Sequence, residues 1–337
     1  DPEGERNRMS VLVTGGAGYI GSHMTLGLLA RGEDIVVVDD LSTGFDWAVP
    51  EGVTFAKGDI GDAAFLEAVF TEYRPETVLH LAGSLLVEES VADPLGYYAN
   101  NTVASHLLIA TAVRHGVPHF VFSSSAAVYG MPGSEPVRET AELRPVSPYG
   151  RSKLMTEMML EDVARAHPMR YAALRYFNVA GADPEGRAGE STHSSTHLVK
   201  VACETAFGLR DHVSIFGSDY PTPDGTAVRD YIHVTDLAAA HLDAIAYLRR
   251  GGESLVSNVG YGRGFSVRQV LETVRQVHGQ DFDIRTAGRR AGDPAMIVAD
   301  GSTARETLGW TPKYDDLPTI VAHALRWEDR LRFRNHR

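Results

Sequence analysis

The run Ser10-Val11-Leu12-Val13-Thr14 passes directly into Gly15-Gly16-Ala17-Gly18-Tyr19-Ile20-Gly21 and then into an amphipathic stretch. A strand that turns on glycines into a helix commits a chain to a parallel βαβ unit with an anion site at the turn. Gly15 permits the tight turn, Gly18 lets the backbone approach a pyrophosphate, and Gly21 lets helix and strand pack closely; the amides at the helix start, Tyr19 and Ile20, face the anion. Asp39 closes the second strand-like run, 18 residues beyond Gly21. A carboxylate there accepts hydrogen bonds from both ribose hydroxyls and repels a 2′-phosphate, so NAD is expected rather than NADP. Asp59 and Ile60, after the third strand, either reach the adenine edge or simply end that strand.

Further β-rich runs occur at 34–39, 53–56, 77–81, 119–123 and 171–176, with amphipathic helices expected at 18–31, 62–73, 97–115 and 148–167. The strands are apolar on consecutive positions, so both faces are covered. This predicts an α/β fold with a doubly wound parallel (Rossmann) sheet. From about residue 178 the rhythm changes: loops rich in Gly, Ser, Thr and Pro at 181–195 and 217–227 separate helical periods at 196–208, 236–249, 266–278 and 316–332. A chain of 337 residues is long enough for two lobes. Residues 9–178 are assigned to the cofactor domain and 179–337 mainly to a smaller C-terminal cap, with part of 228–258 returning to the first domain.

A net charge of −12 argues against broad attraction to nucleic acid, though it leaves room for a local small-anion site. No apolar run approaches the ~20 residues of a membrane helix. Residues 1–8 lack the apolar stretch of a secretory signal and read as a disordered leader. The single cysteine, Cys203, forms no internal disulfide, which fits a reducing, cytoplasmic setting. It lies in an apolar helical stretch and reads as a core residue rather than a nucleophile. His193 and His197 stand four apart, yet no third ligand accompanies them in sequence, and no metal site is expected.

Tyr149 and Lys153 are four apart at a helix start opened by Pro148, so both side chains project from one face. A phenol with a pKa near 10 needs help to act as a base at neutral pH. A nearby ammonium and a positively charged nicotinamide favour the phenolate and are expected to pull its pKa down. Ser123-Ser124-Ser125 closes the fifth strand, at the carboxyl edge where such sheets bind ligands, and supplies hydroxyls to hold a substrate hydroxyl against the phenolate.

The segments TGGAGYIGS, FSSSAAVYG, SPYGRSK, RYFN (175–178), VRDYIHVTDLA (228–238) and RRAGD (289–293) stand in collinear order from about Met9 to Trp310. Together they resemble the extended short-chain dehydrogenase/reductases and, within them, the UDP-galactose 4-epimerases. The resemblance implies Tyr149 as base, Lys153 as its helper and Ser125 as the hydroxyl partner. It adds Asn100 and Tyr176 to the NAD contacts and implies UDP-sugar contacts from Ser125, Tyr149, Asn178, His197, Phe216, Arg229, Arg290, Asp293 and Ile297, in a homodimer. Arg229 and Arg290 offer fork-shaped donors suited to a diphosphate, or else form surface ion pairs; Phe216 stacks on uracil or packs in the cap core.

The implied reaction inverts C4 of a UDP-hexose through a transient 4-ketose. Rivals are other extended short-chain enzymes acting on a nucleotide sugar (4-epimerases of UDP-GlcNAc, a UDP-uronic acid or a UDP-pentose, reductases, dehydratases) and a silent NAD-binding protein. Ala126 and Ala127 occupy the places where the dehydratases carry an Asp-Glu pair, which argues against elimination. Two departures stand out. Leu85 occupies a place where many relatives have Lys near the nicotinamide ribose and phosphates, and Thr196-His197-Leu198 replaces Asn-Asn-Leu, so a nucleotide contact at His197 departs from the pattern. Ile297 falls where a family gate beside the sugar C2 is expected, with Met296 taking that place on a one-residue slip; the alternative is a strand residue in the cap core.

Overall fold

Six strands form the parallel framework: β1 (Ser10–Thr14), β2 (Asp34–Asp39), β3 (Thr54–Lys57), β4 (Thr77–His80), β5 (His119–Ser123) and β6 (Arg170–Tyr176). The computed structural model describes residues 10–193, 195–290 and 292–334. The expected leader, residues 1–8, and Met9 lie outside the described residues. In space the strands run β3-β2-β1-β4-β5-β6, and Leu255–Val259 adds a seventh beyond β6. Every β1 and β4 residue is buried, as consecutive apolar positions require. The chain reverses its direction of travel across the sheet between β1 and β4, and that switch point is where an open α/β sheet leaves a crevice at its carboxyl edge.

The chain divides into two units that interleave in sequence. The first comprises residues up to Val128, Ser147–Arg175 and Ala238–Ser257; the second comprises Tyr129–Val146, Tyr176–Leu237 and Asn258 onward. The sequence reading keeps 129–146 in the first domain. The structure ties this excursion elsewhere by backbone bonds from Val137 N to Val298 O and from Asp300 N to Val137 O, both 2.8 Å. Asn258 fixes it further, donating to Val137 O and accepting from the Tyr129 hydroxyl.

In the second unit, Val228–His233 is a shared strand: it pairs parallel with Asn178–Ala180 and Met296–Ile297 and antiparallel with Gly264–Ser266. Helices Leu198–Ala206, Val267–His278 and Leu317–Arg334 pack around a core that includes Val199, Cys203, Leu271, Val274 and Ile320. The middle helix has both of its ends written in sequence: Ser266 and Gln269 form a reciprocal capping box, and Gly279 stops it in the left-handed conformation.

Candidate active site

The glycine loop follows β1 at the switch point. Gly15 has φ +73°, and a Cβ there would lie 2.8 Å from Ala82 N; one at Gly21 would lie 2.0 Å from Gly15 O. Both contacts are with backbone, so no side chain is tolerated at either place without moving the turn. Gly18 caps the helix Tyr19–Ala30 without a side-chain bond, which leaves the amides of the first turn, Tyr19 and Ile20 among them, available to an anion. Asp39 ends β2 as expected, but its carboxylate is already engaged, accepting from Ala17 N at 3.0 Å and Leu41 N at 2.9 Å. Burial raises its pKa, and the two amides counter that rise. Each carboxylate oxygen keeps a lone pair for a ribose hydroxyl. Asp59 accepts from Gly61 N at 2.7 Å and Ile60 is buried beside it.

A bonded chain crosses from β1 to β4 beneath the loop. Ala82 N donates to Thr14 Oγ1 at 3.3 Å, and Thr14 Oγ1 lies 2.7 Å from His80 Nδ1. On the other side His80 Nε2 lies 2.8 Å from Ser105 Oγ, whose hydroxyl is spent on the Asn101 carbonyl. With His80 neutral, the arrangement that serves all four bonds has its proton on Nε2 and Nδ1 accepting from the Thr14 hydroxyl. Burial, reinforced by the Lys153 charge, holds His80 down to about 3, so it stays neutral. Sequence reasoning did not single out His80 or Asn101. Asn101, buried, accepts from Ser84 N at 2.8 Å and donates to Ser84 O and Ser152 Oγ, whereas the expected contact Asn100 is exposed and donates to Ser84 Oγ. Leu85, next to this braced turn, is half exposed.

Ser147 caps the helix Pro148–Ala166, whose inner face buries Tyr149, Ser152, Lys153, Thr156 and Glu157. Tyr149 faces Ser125, whose hydroxyl acts to lower the phenol pKa, and Ser125 Oγ accepts from Ala127 N at 3.2 Å. Lys153 Nζ donates to Ser123 O at 3.0 Å, 6.0 Å from the Tyr149 ring centroid. Of the three serines, Ser123 Oγ meets His241 Nε2 at 3.3 Å and Ser124 Oγ donates to Glu157, while Ser125 is the one that faces Tyr149. In the chain by itself burial pushes the Tyr149 phenol up, outweighing the Ser125 hydroxyl that lowers it, and Lys153 is pulled down to about 8 by the same burial against the raising influence of Glu157.

Within the second unit several expected residues meet. The Arg290 guanidinium lies 3.8 Å over the Phe216 ring, so one face of that ring is already covered. Arg229 Nη2 stands 3.8 Å from Asp293 Oδ1, and Asp293 N reaches Arg290 O at 3.4 Å, linking the two arginines. Buried Asp230 pins the strand beneath Arg229 by accepting from Gly262 N, Tyr261 N and Ala299 N. Ile297 is buried in the short strand Met296–Ile297, in register with Arg229. Asn178 pairs with the same strand, opposite Tyr231, and is exposed; Tyr176, at the end of β6, is half-buried. His197 precedes the helix Leu198–Ala206, with Nδ1 2.7 Å from Glu190 Oε1. Buried Glu190, a partner not expected from sequence, raises the His197 pKa by its charge. Among the described residues no cluster of three or more metal-ligating side chains occurs, and no helix is long and apolar enough to cross a membrane. Cys203 is buried, and burial pushes its thiol up, away from nucleophilic chemistry.

Comparison with known proteins gives a consistent picture. The model of a family described as "NAD dependent epimerase/dehydratase family" matches residues 11–260. The UDP-glucose 4-epimerase of Azospirillum brasilense is 54% identical over 321 residues, 95% of this chain and 92% of that protein. Among solved structures, UDP-glucose 4-epimerase from Brucella ovis in complex with NAD has a TM-score of 0.92 at 44% identity, covering 95% of this chain and 98% of that one. The UDP-Glc/GlcNAc 4-epimerase from Campylobacter jejuni has a TM-score of 0.84 at 45% identity, covering 96% and 99%.

Proposed function

The chain belongs to the NAD dependent epimerase/dehydratase family, and from that premise we propose that it is an isomerase, an NAD-dependent epimerase that inverts C4 of a UDP-hexose, interconverting UDP-glucose and UDP-galactose. The observation that carries the reading is the buried Tyr149, facing Ser125 and sharing a helix face with Lys153. Its relatives at high identity are named UDP-glucose 4-epimerases, and the Brucella ovis structure holds NAD.

The glycine loop from Gly15 to Gly21 fits NAD, because Gly15 and Gly21 admit no Cβ and the first helical turn presents unspent amides. Gly15, Gly18, Tyr19, Ile20 and Gly21 would hold the pyrophosphate and Asp39 the ribose; Asp59 and Ile60 fall to the adenine side, and Asn100, Tyr149, Lys153 and Tyr176 to the nicotinamide side. Bound NAD supplies a reversible hydride acceptor for C4. Tyr149 Oη takes the proton of the 4-hydroxyl, with Ser125 Oγ holding that hydroxyl in line, and later returns the proton to the ketose oxygen on the way to the epimer. Burial pushes the phenol up and the Ser125 hydroxyl opposes that rise, and positive charge brought beside Tyr149 favours its phenolate further. Ala126 and Ala127, which follow Ser125, offer no acid or base for eliminating water. The second unit is assigned the nucleotide: Arg229 and Arg290 the diphosphate, Phe216 the uracil through its open face, and Asn178, His197 and Asp293 polar contacts.

The homodimer is part of this proposal. It is supported by apolar side chains left exposed on adjoining helical segments of the first unit, Val91, Leu95, Val103, Met155 and Met158, of which Leu95 is 78% exposed. A cytoplasmic setting is supported by Cys203 as a buried free thiol.

Incubating the pure protein with NAD and UDP-galactose, and following UDP-glucose by a coupled assay, tests the function; absence of turnover refutes it. Tyr149→Phe is expected to lose about 10²–10⁴-fold in rate with an unchanged melting curve, since only the acid–base oxygen is removed.

A further inference from the structure

Behind the Ser125 turn lies a buried trio that takes no part in the mechanism above. Glu157 follows Lys153 by one helical turn on the same buried face. Its carboxylate takes the whole Arg175 fork, from Nη2 at 2.6 Å and Nε at 2.9 Å, and also accepts from Ser124 Oγ. The Glu157 and Arg175 side chains are only 6% and 4% exposed. One side chain thus joins the helix that carries Tyr149, the strand β6 and the residue next to Ser125. A pair so deeply desolvated is seldom worth its place for stability alone.

We infer that Glu157 is a positioning residue for the reaction: by gripping Ser124 and Arg175 it fixes the Ser125 hydroxyl against Tyr149, and from one helical turn away it sets a carboxylate on the buried face that carries Lys153. The inference rests on the roles given to Tyr149 and Lys153 above. The surroundings of Lys153 leave the countering charge to Glu157. Nζ faces the Ser123 carbonyl at 3.0 Å and the Phe122 ring at 5.0 Å, with Tyr149 alongside, and the buried His80 of β4 is neutral. Against the burial that pulls Lys153 down, the Glu157 carboxylate is the charge that acts in the opposite direction.

The test reads Lys153 directly, without substrate. Lysine Cε resonances of isotope-labelled, NAD-loaded protein, with Lys153 assigned by its loss in Lys153→Met, are titrated in the wild type, Glu157→Asp, Glu157→Gln and Glu157→Gln/Arg175→Met. The double variant removes the partner charge as well, so that no buried cation is left unpaired. Lys153 is expected to titrate about 1–2 pH units lower in Glu157→Gln, less so in the double variant, and near the wild-type value in Glu157→Asp. The alkaline limb of kcat with UDP-galactose moves in parallel, with KM within about twofold. Folded variants in which Lys153 titrates as in the wild type overturn the inference. So does unfolding of both Gln variants, which assigns the trio to folding alone. A wild type inert toward UDP-galactose refutes the functional reading while leaving the titration shifts to judge Glu157.

Discussion

His80 offers the sharpest quantitative handle on the cofactor loop. Its ordinary pKa of 6.5 falls to about 3 in the folded chain, because protonation would place a charge in a dry interior and turn Nδ1 from acceptor into donor against the Thr14 hydroxyl. A base with a lowered folded pKa is protonated first in the unfolded chain. Its contribution to stability is therefore complete above pH 6.5 and declines as the pH falls through the window from 6.5 toward 3. Each pKa unit is worth about 1.36 kcal/mol. At pH 5 the unfolded chain has gained about 1.5 units' worth of proton binding that the native chain lacks, a loss near 2 kcal/mol, against about 0.2 kcal/mol at pH 7. Asparagine at this position keeps one donor and one acceptor but does not titrate. His80→Asn should lower stability by about 1–2 kcal/mol at pH 7 through imperfect reach, and it should flatten the decline between pH 7 and 5 by about 2 kcal/mol, so that the two proteins are about equally stable at pH 5. Denaturant unfolding of the cofactor-free protein at pH 7, 6 and 5, followed by far-ultraviolet circular dichroism, gives both slopes. Carboxylates held below their ordinary range contribute only at lower pH, and other groups cancel in the difference between the proteins. Parallel slopes for wild type and variant would refute the reasoning and mean that His80 binds its proton in the folded state.

Three further outcomes are expected. Asp39→Ser should bring NADP binding up to that of NAD in a titration, since the carboxylate that repels a 2′-phosphate is gone; equal binding of both by the wild type would refute the role of Asp39. Because Leu85 supplies no cation, added NAD should raise the activity of the purified wild type, and Leu85→Lys should abolish that dependence; a wild type insensitive to added NAD contradicts it. At the sugar gate, the wild type should epimerise UDP-N-acetylglucosamine weakly, because a pocket discriminates by only about 1–3 kcal/mol per methylene-sized change. Ile297→Ser should raise that rate relative to UDP-glucose at some loss of melting temperature. Since Ile297 is a buried strand residue, destabilisation without broadened specificity would assign it to the core alone.

The framework was legible where one physical rule dominates. β1 through β6 lie within a residue of their expected positions, because a strand covered on both faces must be apolar throughout, as Val11, Leu12 and Val13 are. The single helix expected at 97–115 is three pieces instead: Pro94–Tyr97, a π-helical turn Tyr98–Val103, and Ala104–Arg114. The wide turn carries Asn100 and Asn101 toward Ser84, a tertiary demand that periodicity does not encode. Leu255–Val259 escaped notice because Ser257 and Asn258 break its apolar run; Asn258 is buried on side-chain bonds that only the fold supplies. At the site, spacing was enough to pair Tyr149 with Lys153, and the motif singled out Ser125. The direction of the Tyr149 shift was not legible, since it depends on how completely the phenol is buried. Glu157 carried a signal that went unread, its four-residue offset from Lys153 on an inward helix face.

The late arrival of Leu255–Val259 also bears on how the chain is born. Until that strand docks, β6 is an open sheet edge, and the 78 residues between Tyr176 and Leu255 belong largely to the other unit. At about 5–20 residues per second of synthesis, that edge waits roughly 4–16 s for its neighbour. A fragment cut after residue 178 would leave the ribosome with the cofactor loop complete and the edge permanently bare, so the nucleotide half of this protein is not an excisable module but a sheet sealed by a distant piece of chain. The hazard during synthesis is pairing of that edge with another nascent copy, and a chaperone that shields β6 would act before the second unit is finished.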